Sequence, residues 1–158
     1  MFKTIRDFKH QINKSFRIES SWYKTNKNII NKNFNSIDSV LICGMGGSAI
    51  GGELAKTMLS EYLNVPISIN RSSCIPKWVN SKTLIIISSY SGNTYEVLDS
   101  FQKSQKKTKK IIPISSKIDI FNREYPTIII PEGIQPRCAL GYISTIIMLV
   151  LARLDLVD

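Results

Sequence analysis

The sequence predicts an open, doubly wound α/β fold with a mainly parallel sheet, on three observations. Short unbroken Ile/Val runs recur, such as Leu84–Ser88, and runs of this kind read as strands covered on both faces. Helical apolar patterns alternate with them. Two of the strand-to-helix turns, 44–52 and 89–94, are built from glycines and hydroxyl residues. Right-handed crossovers then put helices on each side of the sheet.

The elements follow in order. Phe2, Ile5, Phe8, Ile12 and Phe16 recur at three- and four-residue steps, the spacing of an amphipathic N-terminal helix. Residues 24–36 are polar and rich in Asn and Lys, and read as a helix fragment or a loop. Next come a strand at Ser39–Cys43, a helix at Ala49–Leu63, and strands at Ile67–Asn70 and Leu84–Ser88. A helix at Thr94–Gln105, strands at Lys110–Ser115 and Thr127–Ile130, and a helix at Cys138–Leu156 complete the chain. Pro126, Pro131 and Pro136 bracket the last strand and the loop after it, as turn chemistry requires. Residues 1–36 are expected to be a helical segment packed on one domain, 37–158.

Composition excludes several classes. The 158 residues suffice for one domain with a real core. The charged N-terminus lacks the apolar segment of a secretory signal. The longest apolar stretch, Ile143–Ala152, is broken by Ser144 and Thr145 and is too short to span a bilayer. Cys43, Cys74 and Cys138 have no metal-like spacing, and the lone His10 cannot complete a zinc site. A zinc site is not expected, and a reduced cytoplasm suits three free thiols. The net charge of +9 is split between the N-terminal segment and the 103–110 lysine run, without interleaved aromatics. A nucleic-acid partner is therefore not expected.

The chemistry is concentrated at the turns. Ser89, Ser91 and Thr94 crowd a tight turn around Gly92, between a strand and a helix. Such a junction aims free backbone N–H groups and a helix dipole at the turn, and hydroxyls add donors without charge. It can hold a phosphate ester without a lysine; an ordinary Ser/Thr helix cap is the alternative. The stretch Gly44-Met45-Gly46-Gly47-Ser48-Ala49-Ile50-Gly51-Gly52 is a second turn of this kind. Glycines there let backbone approach a ligand, and parallel strands bring such loops to one sheet edge. Tight strand–helix packing is the competing explanation. Arg137 lies at or just before the last helix's N-terminus, where a cation opposes the dipole. Pairing with Glu132 would explain it; so would stabilising a developing oxyanion.

CGMGGSAIGGEL at 43–54, SYSGNT at 89–94 and QPRCALGY at 135–142 together resemble a sugar isomerase (SIS) domain, flavodoxin-like in architecture. QPRCALGY points to the bifunctional phosphoglucose/phosphomannose isomerase family, in its N-terminal half. The resemblance implies that Gly46, Gly47, Ser48, Ser89, Ser91 and Thr94 hold a sugar phosphate. It also implies that Arg137 stabilises the enediolate of an aldose–ketose isomerisation, with neither cofactor nor metal. Ser72, Ser73 and Cys138 depart from the family's usual residues. The family carries a second SIS half with the proton-moving glutamate, the ring-opening histidine and an active-site lysine, and no match to these occurs here. Isomerisation needs a general base near C1 and C2; Glu132 and Glu96 are candidates by elimination.

Three functions compete: the phosphosugar-binding part of such an isomerase, incomplete on its own; a non-catalytic phosphosugar-sensing module; and an NADP-binding oxidoreductase domain. For the last, residues 44–49 fit G-x-G-x-x-A and Arg71 suits a 2′-phosphate. The expected partners are a hexose 6-phosphate and either a second copy or a chain bearing a second SIS half. The last helix motivates the latter, because Leu140, Ile143, Ile146, Ile147, Val150, Leu151 and Leu154 are too many for one stripe. Part of that helix is expected to stay wet without a partner.

Overall fold

The computed structural model describes residues 7–117, 120–121 and 124–158. The elements run α1 (Phe8–Asn33), β1 (Ser39–Gly44), α2 (Gly46–Met58), β2 (Ile67–Asn70), β3 (Thr83–Ser88), α3 (Tyr95–Ser104), β4 (Ile111–Ser115) and β5 (Ile128–Ile129). A 3₁₀ turn (Pro136–Cys138) and α4 (Leu140–Arg153) follow. All five strands are parallel, in the order β2-β1-β3-β4-β5. The doubly wound α/β reading therefore holds.

Each central strand serves both faces of the sheet, because successive side chains alternate. Val40, Ile42, Leu84, Ile86, Ile112 and Ile114 face a core completed by Trp22, Ala55, Tyr142, Ile143 and Ile146 from α1, α2 and α4. Leu41, Cys43, Ile85, Ile87 and Ile111 face the opposite core, with Val97 and Phe101 from α3. Phe101 meets Phe121 and Tyr125 edge-on there, at centroid distances of 5.0 and 5.4 Å.

The structure decides three expectations. First, α1 continues to Asn33, so most of the polar 24–36 segment is helix. Second, α1 buries a different face. Phe8 and Phe16 are 37% and 54% exposed, whereas Gln11, Ser15, Glu19 and Trp22 are buried; Phe2 and Ile5 lie outside the described residues. Polar groups far along the chain set this orientation. Gln11 Nε2 donates to the Cys138 carbonyl at 2.9 Å, and Trp22 Nε1 to the Pro126 carbonyl at 2.9 Å. Arg153 forks onto both Glu19 oxygens at 2.8 and 3.1 Å and lies 4.4 Å over the Tyr23 ring. Third, little of α4 is wet: Tyr142, Ile143, Ile146, Ile147, Val150 and Leu151 are buried, with α1 and α2 packed against the helix, while Leu140, Met148, Leu149 and Leu154 are half-buried. Exposed apolar side chains include Phe16 on α1 and Ile50 and Met58 on α2, besides Tyr62, Trp78 and Tyr95 elsewhere.

The second helix also begins earlier than Ala49, at Gly46. Gly51 and Gly52 serve close packing, whereas Gly46 takes a left-handed φ of +49° with open space around it. A Cβ on Gly51 would come within 2.5 Å of Ile143 Cγ2 in α4. Among the described residues no helix is long and apolar enough to cross a membrane.

Candidate functional site

Adjacent strands β1 and β3 send their following helices to opposite faces of the sheet. That divergence opens a crevice at their carboxyl ends, where ligands bind in open α/β folds. Both glycine- and hydroxyl-rich turns border it, since Gly44 at the end of β1 pairs with Ser88 at the end of β3.

The β1–α2 turn is one residue, Met45, in extended conformation, and no side chain caps the helix. The N–H groups of Gly46 and Gly47 are left for water or a ligand. Ser48 lies in that turn, buried, with its N–H on the Met45 carbonyl at 3.0 Å. Gly47 backs directly onto the arginine: a Cβ here would stand 3.1 Å from Arg137 Cα and 3.1 Å from the Pro136 carbonyl oxygen. The glycine loop and Arg137 are therefore in backbone contact. Next to them Cys43 is sealed; burial pushes its thiol up to about 12, against a smaller opposing effect of the Asn70 amide.

The β3–α3 turn spends its hydroxyls differently. Thr94 is the N-cap residue of α3, yet its side chain makes no capping bond. The ordinary-cap explanation of this motif is thus not what the structure contains. Thr94 Oγ1 instead accepts from Ser89 Oγ at 3.4 Å. Ser91 is exposed and accepts from the Asn93 N–H at 3.4 Å. Two helices with uncapped N-termini, α2 and α3, thus border one crevice with Ser48, Ser89, Ser91 and Thr94 around it. Such an arrangement favours an anion carrying several acceptor oxygens.

Arg137 projects from the 3₁₀ turn, exposed, and makes no ion pair with another described residue. The Glu132 that would have explained it is turned away, onto Lys117 Nζ at 3.0 Å. Glu96 occupies the first turn of α3, where a carboxylate suits the dipole.

No protein-family model matches the chain. It is 39% identical to a bifunctional phosphoglucose/phosphomannose isomerase from Caldicellulosiruptor bescii, over all of this chain and 46% of that protein. A protein of the same name from Thermoplasma volcanium is 37% identical over 67% of this chain and 34% of its own length. A D-glucosamine-6-phosphate 4-epimerase from Sulfolobus acidocaldarius is 33% identical over 72% of this chain and 37% of its own. In fold, a Silicibacter pomeroyi protein proposed to be a phosphosugar isomerase superposes with a TM-score of 0.69 at 10% identity, over 97% of this chain and 50% of that one. The Methanococcus jannaschii protein MJ1247 does so with a TM-score of 0.61 at 19% identity, over 92% and 89%. The chain is a SIS domain, and it resembles the bifunctional phosphoglucose/phosphomannose isomerases. It spans about half the length, or less, of the curated relatives it matches.

Three residues bordering the SIS crevice escaped the sequence reading. Ser88 Oγ is fully buried at the end of β3 and has no hydrogen-bond partner. Gln11 holds the backbone of the residue after Arg137. Tyr90, a large ring among small hydroxyls in SYSGNT, is buried, and its hydroxyl bonds to the loop that precedes Arg137. Only the last left a signal in the sequence, its odd size within the motif. Arg71, the residue suited to a dinucleotide 2′-phosphate, faces Glu53 at 3.6 Å. A cavity of about 900 Å³ between α1 and the open edge of β5 includes none of the site residues.

Proposed function

We propose that this SIS domain binds a hexose 6-phosphate and forms the phosphate-and-arginine part of an aldose–ketose isomerase site of the phosphoglucose/phosphomannose type. One observation carries the reading: two uncapped helix N-termini, with Ser48 and the hydroxyls of Ser89–Thr94 beside them, border the same crevice as an arginine that has no carboxylate partner among the described residues. In this reading the N–H groups of Gly46 and Gly47, with Ser48, Ser89, Ser91 and Thr94, hold the phosphate. Arg137 stabilises the negative charge that develops on the C1–C2 enediolate. The proton moves between neighbouring carbons of one substrate, so the reaction needs no redox cofactor. A general base has to reach C1 and C2, and Glu132, already engaged by Lys117, is ill suited to it. We assign that base, and the ring-opening acid, to a second SIS half or a second copy, with Ile50, Met58 and Phe16 as apolar surface for it to cover. A metabolic enzyme with three free cysteines fits the cytoplasm.

Calorimetry of the chain with glucose 6-phosphate, mannose 6-phosphate, glucosamine 6-phosphate and NADP tests this, followed by a coupled isomerase assay. At least one hexose 6-phosphate should bind and NADP should not. Turnover by the chain alone should be at or near background, since acid–base groups supply about 10²–10⁴-fold in rate. Binding of NADP without any sugar phosphate would overturn the proposal. Efficient turnover by the chain alone would overturn the assignment of the base.

A further inference from the structure

We infer that Tyr90 is a positioning residue that couples the phosphate loop to Arg137; the inference rests on the function proposed above. Its hydroxyl donates to the Pro131 carbonyl at 2.9 Å and accepts from the Ile134 N–H at 2.9 Å. Residues 132–134 form a bend with Gly133 at φ +84°, the kind of left-handed conformation a type II turn requires at its third position. Such a turn is ordinarily closed by a bond from the first carbonyl to the fourth N–H. Here that direct bond is not made; the tyrosine hydroxyl stands between the two groups. The turn is held open by a side chain from another loop, 44 residues away in sequence from the amide it accepts from.

Both ends of this link are stiff. On one side, the Tyr90 carbonyl accepts from Ser116 twice, from N–H at 3.1 Å and from Oγ at 2.7 Å. Ser89 and Ser91 flank the tyrosine directly, so a shift of the phosphate-binding hydroxyls displaces the ring. On the other side, the chain runs from Ile134 through Gln135 into the 3₁₀ turn, closed by Cys138 N–H to Gln135 carbonyl at 2.7 Å. Beyond Arg137, Gln11 fixes the Cys138 carbonyl at 2.9 Å. Arg137 is thus suspended between an anchor on α1 and an anchor on the phosphate loop. Loss of the Tyr90 hydroxyl leaves a carbonyl and an N–H unmatched. The turn answers by closing on itself, and the segment leading to Arg137 moves with it.

The test compares two probes with the same phosphate end. 5-Phospho-D-arabinonate carries a carboxylate where the enediolate charge would develop; sorbitol 6-phosphate carries neutral hydroxyls. Calorimetry gives the ratio of their affinities in wild type, Tyr90→Phe, Arg137→Ala and the double variant. Wild type should favour the carboxylate, and Arg137→Ala should abolish the preference. Tyr90→Phe should lower the preference at least fivefold while changing sorbitol 6-phosphate affinity less than twofold. The double variant should match Arg137→Ala alone. A wild-type preference retained in Tyr90→Phe overturns the inference. So does an equal loss for both probes, which marks a merely structural role. Absence of any Arg137-dependent preference in wild type overturns the proposed role of Arg137 itself, and the coupling with it. Should Tyr90→Phe fold poorly, Gly133→Ala reads the same coupling from an exposed position with open space around its Cβ, and the same outcomes decide.

Discussion

The β1–α2 junction turns the chain through one residue, Met45, whereas the β3–α3 junction uses six, Ser89–Thr94. In the first, Cys43 and Ser48 are buried and Gly47 lies against the backbone of Arg137. In the second, Ser91 and Asn93 are exposed, and the hydroxyls bond mainly to one another or to nearby backbone. Both leave a helix uncapped. The closed junction gives position: it fixes where the arginine stands. The open one, in the function proposed, gives donors that can adapt to a phosphate. Substitutions in the closed junction should therefore cost stability and binding together, and those in the open junction binding alone.

Thiol chemistry should separate the two most sharply. Burial raises the Cys43 thiol to about 12 from the ordinary 9.0, so at pH 8 its thiolate fraction is about 10³-fold below that of an ordinary cysteine. The sign is that of an acid held neutral. Between about pH 9 and 12 the unfolded chain would ionise this thiol and the native one would not, so its contribution to stability falls as pH rises through that window. With iodoacetamide at pH 8, mass spectrometry should find the exposed Cys74 modified and Cys43 unmodified. A Ser91→Cys variant should add a rapidly labelled site. Native labelling of Cys43 at a rate close to that of Cys74 would mean that the first junction opens as readily as the second.

The next effect in size is expected at Gly47. A side chain there meets backbone, the Arg137 Cα and the Pro136 carbonyl, each 3.1 Å from its Cβ, and backbone cannot swing aside as a flexible side chain can. Gly47→Val should cost about 1–3 kcal/mol of stability through overpacking. It should also weaken glucose 6-phosphate binding about 100-fold, because phosphate donors and arginine are displaced together. A thermal melt and calorimetry on the same sample measure both. Wild-type values in either would show that the junction yields.

Much of this architecture was legible because its causes are local. The Val/Ile runs of Ser39–Cys43 and Leu84–Ser88 are strands since they are buried on both faces, and a continuous apolar run reports that directly. The two junctions were legible because glycine and hydroxyl residues are unusual between strand and helix. What escaped depends on partners distant in sequence. The periodicity of Phe8, Ile12 and Phe16 is real, yet α1 turns Gln11, Ser15 and Glu19 inward, since Cys138 and Arg153 await them 127 and 134 residues on. The burial of α4 depends on α1 and α2 packing against it, which its own pattern cannot encode. In the site, the serines and Arg137 could be named from motif chemistry, but the Tyr90 bridge could not. Its hydroxyl serves backbone groups of another loop, and backbone groups leave no mark in sequence.

The smallest expected effect is the one that tests the open junction on its own terms. Ser91 is exposed, and its described hydrogen bond, from the Asn93 N–H at 3.4 Å, is long. Removing its hydroxyl leaves no buried group unmatched, so Ser91→Ala should change stability by less than about 0.5 kcal/mol. At the size of this domain that is a shift of about 1–2 °C in Tm. If the hydroxyl donates to a phosphate oxygen, the lost bond is to a charged acceptor and is worth about 1.5–3 kcal/mol. Glucose 6-phosphate affinity should then fall at least about tenfold by calorimetry. A fall in affinity with an unchanged melt marks a donor held ready for the ligand and nothing else. A fall in Tm comparable to that of Gly47→Val would make Ser91 part of the frame and erase the distinction between the two junctions. An unchanged affinity would remove Ser91 from the phosphate site, leaving the uncapped N–H groups of α3, Ser89 and Thr94 to hold that side of the anion.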